Sequence, residues 1–303
     1  MTAPNFIIAG APKCGTTALA TYLRAHSRIF MCMPKEPGYF AADFPAHRYV
    51  SNWSDYESLF AGAGEQHLAI GEASIFYMYS DLAIAELHRR LPAARLLVML
   101  RNPVDLAISM HAQSLRTRDE NILDFGSAWA LCAERRAGRK VPPHCRDSKV
   151  LLYDGLPLLG LQLQRLLDIF PASQVRWWFY DDFAANPARI YREVLAFLGV
   201  GFDGRGEFPR VNARLRARSQ TLAQFTQKTP KPLLRAAMYV KRQAGIQRLG
   251  VLETLRRANF VPAGRPAIAP ALRGEMRAHF AADVRRLEAL TGRDLDHWRE
   301  AAA

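Results

Sequence analysis

Short, wholly apolar runs alternate along this chain with longer stretches whose apolar residues recur every three or four positions. The first run, Phe6-Ile7-Ile8-Ala9, reads as a buried strand. A Gly/Pro turn follows, and then Thr16-Thr17-Ala18-Leu19-Ala20-Thr21-Tyr22-Leu23, where Leu19, Tyr22 and Leu23 recur at helical spacing. The alternation continues. Residues 29–33, 68–74, 95–100 and 175–180 have the apolar, β-prone character of strands. Residues 53–60, 81–91, 125–136, 157–170 and 186–198, and the segment after Pro103, have helical spacing, with Pro92 and Gly199 as stops. Strands alternating with helices predict an α/β fold of P-loop type, a mostly parallel sheet flanked by helices on both faces. One domain is expected over residues 1–303: a core at 5–200, a basic helical segment at 205–260 and a closing helix within 262–298.

The first turn changes this picture from fold to chemistry. Strand, glycine-bearing loop and helix aim backbone N–H groups and the positive end of a helix at an anion. The spacing is Gly10-x4-Gly15-Thr16-Thr17, so Thr16 stands where a nucleotide triphosphate-binding loop carries its lysine. The lysine sits inside the turn, at Lys13. The strand at 95–100 runs into Arg101-Asn102-Pro103, with Ser109 eight residues after the arginine. A guanidinium that forks onto a phosphate and a hydroxyl near a helix start suit a second phosphate, and Pro103 suits an early helical position.

Together Pro12-Lys13-Cys14-Gly15-Thr16-Thr17 and Arg101-Asn102-Pro103 with Ser109 resemble the two signatures of the sulfotransferases that use 3′-phosphoadenosine-5′-phosphosulfate (PAPS). The resemblance covers roughly residues 5–200 and 262–298 and is nearest to glycan-type enzymes and their bacterial relatives. It implies PAPS as donor, without a metal, held by Pro12, Lys13, Cys14, Gly15, Thr16 and Thr17 at the 5′-phosphosulfate and by Arg101 and Ser109 at the 3′-phosphate. Lys13 is then set against the bridging oxygen. In Pro34-Lys35-Glu36-Pro37-Gly38-Tyr39-Phe40 it makes Glu36 the base that takes the acceptor's proton. The stretch Leu68-Ala69-Ile70-Gly71-Glu72-Ala73-Ser74 resembles another family segment. Tyr39, Phe40, Glu72, Ser74 and Tyr77 are expected on the acceptor side. His111 is a further acid/base candidate facing the cleft. Gly38 and Ala73 depart from the histidine and lysine that relatives often carry there. No Arg-Lys-Gly triplet is present to close over the 3′-phosphate, so Arg214, Arg216 or Arg218 is expected to substitute.

Charge adds one feature. Residues 205–273 hold fifteen Lys and Arg against two acids, which accounts for the whole net charge of +13. This tract is read first as helices packed on the domain, with peripheral membrane contact as the alternative. No nucleic acid is implied. The four cysteines are far apart and have no C-x-x-C spacing, which speaks against a zinc site or a disulfide framework. Cys14 in an anion loop would suit a Cys-x5-Arg phosphatase, but Ala20 fills the arginine position. With no basic leader and no long uncharged apolar stretch, a cytoplasmic location is expected. The predicted reaction is sulfuryl transfer to a hydroxyl or amine of a glycan, lipid or small metabolite. The alternatives are a P-loop kinase or NTPase and a non-catalytic nucleotide- or membrane-binding scaffold. Residues 116–148, charged and carrying Pro142-Pro143, are expected to form a lid or acceptor loop with one helix.

Overall fold

A computed structural model describes residues 3–209, 211, 215–217, 260–262 and 268–299. Its centre is β1 (Phe6–Gly10), buried along its whole length because it is paired on both edges and covered on both sides. β3 (Ala69–Ala73) pairs with one edge and β4 (Arg95–Leu100) with the other. β2 (Ile29–Met31) lies outside β3 and β5 (Val175–Phe179) outside β4, so the order is β2-β3-β1-β4-β5. Every pairing in this sheet is parallel. Register is fixed by contact as well as by hydrogen bonds. Gly71 pairs with Phe6, and a Cβ on Gly71 would lie 2.5 Å from the Phe6 ring. Because the chain leaves β1 toward β2 and β3 and later crosses to β4, the carboxyl ends of β1, β3 and β4 open at one end of the sheet around a switch point.

Helices connect the strands as their sequence signals require. α1 (Thr16–Arg24) follows β1. α2 (Trp53–Ser58) is capped by Asn52, which accepts from the Asp55 N–H. α3 (Ala83–Arg90) precedes β4. α4 (Pro103–Thr117) starts on Asn102, whose side chain accepts from Val104, with Pro103 in its first turn. α7 (Leu159–Leu167), α8 (Tyr180–Ala185) and α9 (Pro187–Leu198) follow, with Gly199 ending α9 in the left-handed conformation.

The segment expected as a lid with one helix is instead tied into the core. It forms α5 (Phe125–Ala130) and α6 (Cys132–Arg136), broken at Leu131. Arg135 of α6 pairs at 2.7 Å with Glu120, both side chains fully buried. Glu120 also accepts from Tyr153 and from the backbone of Asn121 and Ile122. Burial pushes this carboxyl up, but Arg135 and these donors win and hold it below the usual range.

The sequence predicts one domain through residues 1–303; in space the chain groups into two compact units, Met1–Val211 with Ala267–Ala303, and Asn212–Pro266. In the first, α10 (Pro270–Thr291) packs on α7, and α11 (Asp296–Arg299) follows. Buried Asp283 of α10 accepts from the Gly160 and Leu161 N–H groups at 2.8 and 2.7 Å, capping the start of α7. In the second unit, β6 (Leu215–Ala217) and β7 (Phe260–Pro262) pair antiparallel. Apart from residues 205–209 and 211, the rest of the basic segment lies outside the described residues.

Candidate functional site

The loop between β1 and α1 is held from three directions. The Ala11 N–H donates to Met99 of β4 at 3.0 Å. Lys13 adopts φ +62°, an uncommon conformation for a side chain with a Cβ, so its neighbours must hold it there. Gly15 enters α1 at φ +89°, and a Cβ there would come within 3.0 Å of Phe183 and 3.3 Å of Tyr180. Arg101, nearly buried, donates to the Lys13 carbonyl at 2.7 Å and lies over the Tyr180 ring at 4.4 Å. Two positions 88 residues apart are thus joined by a single hydrogen bond. The Lys13 ammonium donates to Gln113 Oε1 of α4 at 3.3 Å, and Gln113 also accepts from Arg116 at 2.7 Å. Ser109 lies one helical turn before Gln113, on the same side of α4.

Thr16 and Thr17 occupy the first turn of α1, so the loop's N–H groups, the helix end, Lys13 and Arg101 converge there. Cys14 is buried, its Sγ facing the Pro12 carbonyl at 3.3 Å. Burial lifts this thiol to about 12, against the pull of Arg101 and Lys13, so at neutral pH it is not a thiolate.

Glu36 sits on the adjacent loop at φ +66°. Its carboxylate, about 38% exposed, pairs with Lys35 at 2.5 Å, while its N–H donates to the Ala73 carbonyl at 3.0 Å. Behind this loop lie Glu72, Ser74 and Tyr77, expected on the acceptor side and found buried. Ser74 donates to Glu72 at 2.7 Å, and Tyr56 to Glu72 at 3.4 Å. Burial drives the Glu72 carboxyl up to about 7, although the Tyr77, Ser74 and Tyr56 hydroxyls and Lys35 pull it down. Tyr39 and Phe40 pack in an aromatic cluster with Trp53 and Tyr56. They also line an open cavity of about 460 Å³ with Ala42, Arg48, Leu82, Ala85, Glu86 and Arg89.

One expected site residue is turned elsewhere. His111 lies about 200° around α4 from Ser109 and again from Gln113. It is buried, bonded through Nε2 to the Ile122 carbonyl at 2.8 Å and packed edge-on against Phe125 and Tyr153. Burial lowers its pKa. The helical period, applied to Ser109, already separated these faces. Arg214 and Arg218 lie outside the described residues. Arg216 lies on β6, paired with Val261, and its side chain is not described. Gln113 and Tyr180 had no role in the sequence reading. The spacing Ser109-x3-Gln113 was the available signal for the first; nothing local pointed Tyr180 at Arg101.

Fold and loop define the class: an α/β protein with a strand–loop–helix anion site whose lysine lies within the loop. The description "Sulfotransferase domain" matches residues 3–231, and the chain belongs to that family. Among curated proteins it is 33% identical over 120 residues to the membrane-associated sulfotransferase kil1 of Dictyostelium discoideum, covering 39% of this chain and 24% of that one. It is 24% identical over 204 residues to human bifunctional heparan sulfate N-deacetylase/N-sulfotransferase 2, covering 65% and 22%. To mouse heparan sulfate glucosamine 3-O-sulfotransferase 3A1 it is 26% identical over 197 residues, covering 65% and 46%. The chain therefore spans less than half the length of these relatives. Among solved structures, a sulfotransferase from Alicyclobacillus acidocaldarius superposes with a TM-score of 0.71 at 28% identity, over 99% of this chain and 100% of that one. Among the described residues no helix is long and apolar enough to cross a membrane.

Proposed function

We propose that this chain transfers a sulfuryl group from PAPS to a hydroxyl or amine of an acceptor, and that the junction of Lys13, Arg101 and Gln113 carries that reading. The residues fit the donor. The loop and the first turn of α1 offer N–H groups to a 5′-phosphosulfate, and Gly15 leaves room by lacking a Cβ on the Phe183 side. Arg101 just past β4 and Ser109 on α4 would hold the 3′-phosphate. PAPS supplies an activated S–O bond, and its cleavage leaves negative charge on the departing phosphate oxygen. Lys13 places a fixed ammonium where that charge develops, and Arg101 fixes Lys13 through its carbonyl. Glu36, partly exposed and beside Lys35, takes the acceptor's proton. No metal is required, because Lys13 and the loop N–H groups supply the positive charge.

The acceptor enters beside the Glu36 loop, where Tyr39, Arg48 and Arg89 line the 460 Å³ cavity. Aromatic and guanidinium walls favour a glycan or a small hydroxylated molecule bearing an anionic group. The relatives' names refer to heparan sulfate, which agrees with this class. A cytoplasmic location and membrane contact through residues 205–260 remain proposals of the sequence.

Calorimetric titration with 3′,5′-bisphosphoadenosine (PAP), with and without a chelator, tests the donor assignment. Binding is expected to be unchanged by the chelator and absent for ATP. Arg101→Ala should weaken it roughly 10- to 100-fold, the worth of one charge-assisted hydrogen bond. Chelator-sensitive binding of ATP in place of PAP would point to a kinase or NTPase. Mass-tagged PAPS offered with fractionated extracts would then identify the acceptor.

A further inference from the structure

The loop carrying Glu36 is conformationally expensive. Glu36 is in the left-handed conformation, which a residue with a Cβ keeps only where its surroundings over-determine it. Three backbone N–H groups of this loop are held from the end of β3 and the residues just beyond it. Glu36 N–H donates to the Ala73 carbonyl at 3.0 Å, Gly38 N–H to Ser74 Oγ at 3.0 Å, and Phe40 N–H to Tyr77 Oη at 3.5 Å. On the other side, Tyr49 N–H donates to the Pro37 carbonyl at 2.8 Å. A Cβ at Gly38 would lie 2.6 Å from the His47 carbonyl, so the loop fits closely between these walls.

The hydroxyls of Ser74 and Tyr77 can accept from the loop only if their own protons point elsewhere. Ser74 Oγ donates to Glu72 Oε2 at 2.7 Å, and the Tyr77 hydroxyl lies close enough to the same carboxyl to pull its pKa down. Tyr56 of α2 donates to Oε1. Glu72 is fully buried.

We propose that Glu72 is the positioning residue for the Glu36 loop: by accepting the Ser74 and Tyr77 protons it turns both hydroxyl oxygens toward the Gly38 and Phe40 N–H groups and so fixes where Glu36 meets the acceptor. This rests on the assignment of Glu36 as base. Ionised Glu72 is acceptor-only and enforces the orientation; protonated Glu72 becomes a donor that competes with Gly38 for Ser74. The groups facing it are Tyr56 from α2, Tyr77, Cys32 after β2, and Lys35, which also pairs with Glu36; His47 faces Glu36 from the far wall. Because the carboxyl titrates near 7, the orientation tightens as pH rises through neutrality.

The test compares wild type with Glu72→Gln, which keeps the shape and adds a donor, and with Ser74→Ala, a small change that leaves Glu72 in place. Three readouts are taken: PAP affinity, PAPS desulfation with water as acceptor from pH 5.5 to 8.5, and amide exchange of the peptide spanning Glu36 to Phe40. In Glu72→Gln, PAP affinity and KM for PAPS should stay within about twofold while kcat falls about tenfold or more. The rise of wild-type kcat through neutral pH should flatten, and Gly38 exchange should quicken in both variants. Unchanged kcat, pH profile and exchange in Glu72→Gln, with PAP bound normally, would overturn the proposal. Failure of the wild type to bind PAP would instead overturn the sulfotransferase reading, and the exchange data alone would then judge whether Glu72 orders the loop.

Discussion

At the scale of single residues, Lys13 combines three constraints that rarely coincide. Its backbone is left-handed, its carbonyl is held by Arg101, and its ammonium reaches Gln113. An ammonium fixed in this way needs no reorganisation when charge develops on a leaving oxygen, which is where preorganised donors contribute most. Lys13→Ala should lower kcat for PAPS turnover by about 10²–10³ with little change in PAP affinity. Gln113→Ala removes a neutral acceptor and should cost at most about tenfold. Steady-state kinetics beside PAP titration distinguishes them, and equal losses would mean that Gln113 acts through more than Lys13. Lys13 and Arg101 were legible in the sequence because loop spacing and strand ends are local features. Gln113 was not, since its role depends on a contact across 100 residues.

At the scale of elements, α4 shows how one helix serves two environments. Ser109 and Gln113 share the side that meets Lys13, while His111 is packed among Phe125 and Tyr153. The contact of α7 with α10 is set by a glycine. A Cβ at Gly160 would stand 2.4 Å from the backbone carbonyl of Asp283, the same residue whose carboxylate caps α7. Backbone cannot yield as a side-chain tip can, so Gly160→Ala must separate the helices and lengthen both capping bonds. Destabilisation of about 2–4 kcal/mol is expected, a fall in Tm of roughly 5–10 °C by calorimetry. Full retention of Tm would show that the helices can slide apart. The segment at 116–148 reads from its charge as a lid or acceptor loop, yet Glu120 pairs with Arg135 and Asp119 with Arg146. Charge in a sequence looks solvated until its partner is known.

At the scale of the whole molecule, stability carries a pH signature with opposing parts. Glu72 is raised from its ordinary value near 4.5 to about 7 by burial. Its contribution is therefore fully present below about 4.5 and is lost as pH rises to about 7, a change on the order of 3 kcal/mol. Asp43, Asp119, Glu120 and Asp182 are held below their usual range, so their contributions are lost on acidification. Denaturant melts at pH 5 and 8 should show Glu72→Gln gaining stability relative to wild type at the higher pH. An equal difference at both values would place the Glu72 titration outside this window.

The sequence by itself determined the alternation of strands and helices, the anion loop with its displaced lysine, and the arginine at the next strand end. Each depends on residues close together in the chain, where periodicity and turn chemistry act. Tertiary structure decided what lies across the sheet from what: that Arg101 meets the Lys13 carbonyl, that Glu72 is sealed behind the Glu36 loop, and that His111 packs against Phe125 and Tyr153. Those outcomes follow from strand order and helix rotation, which are set by burying the whole apolar surface at once and leave no mark on any short stretch of chain.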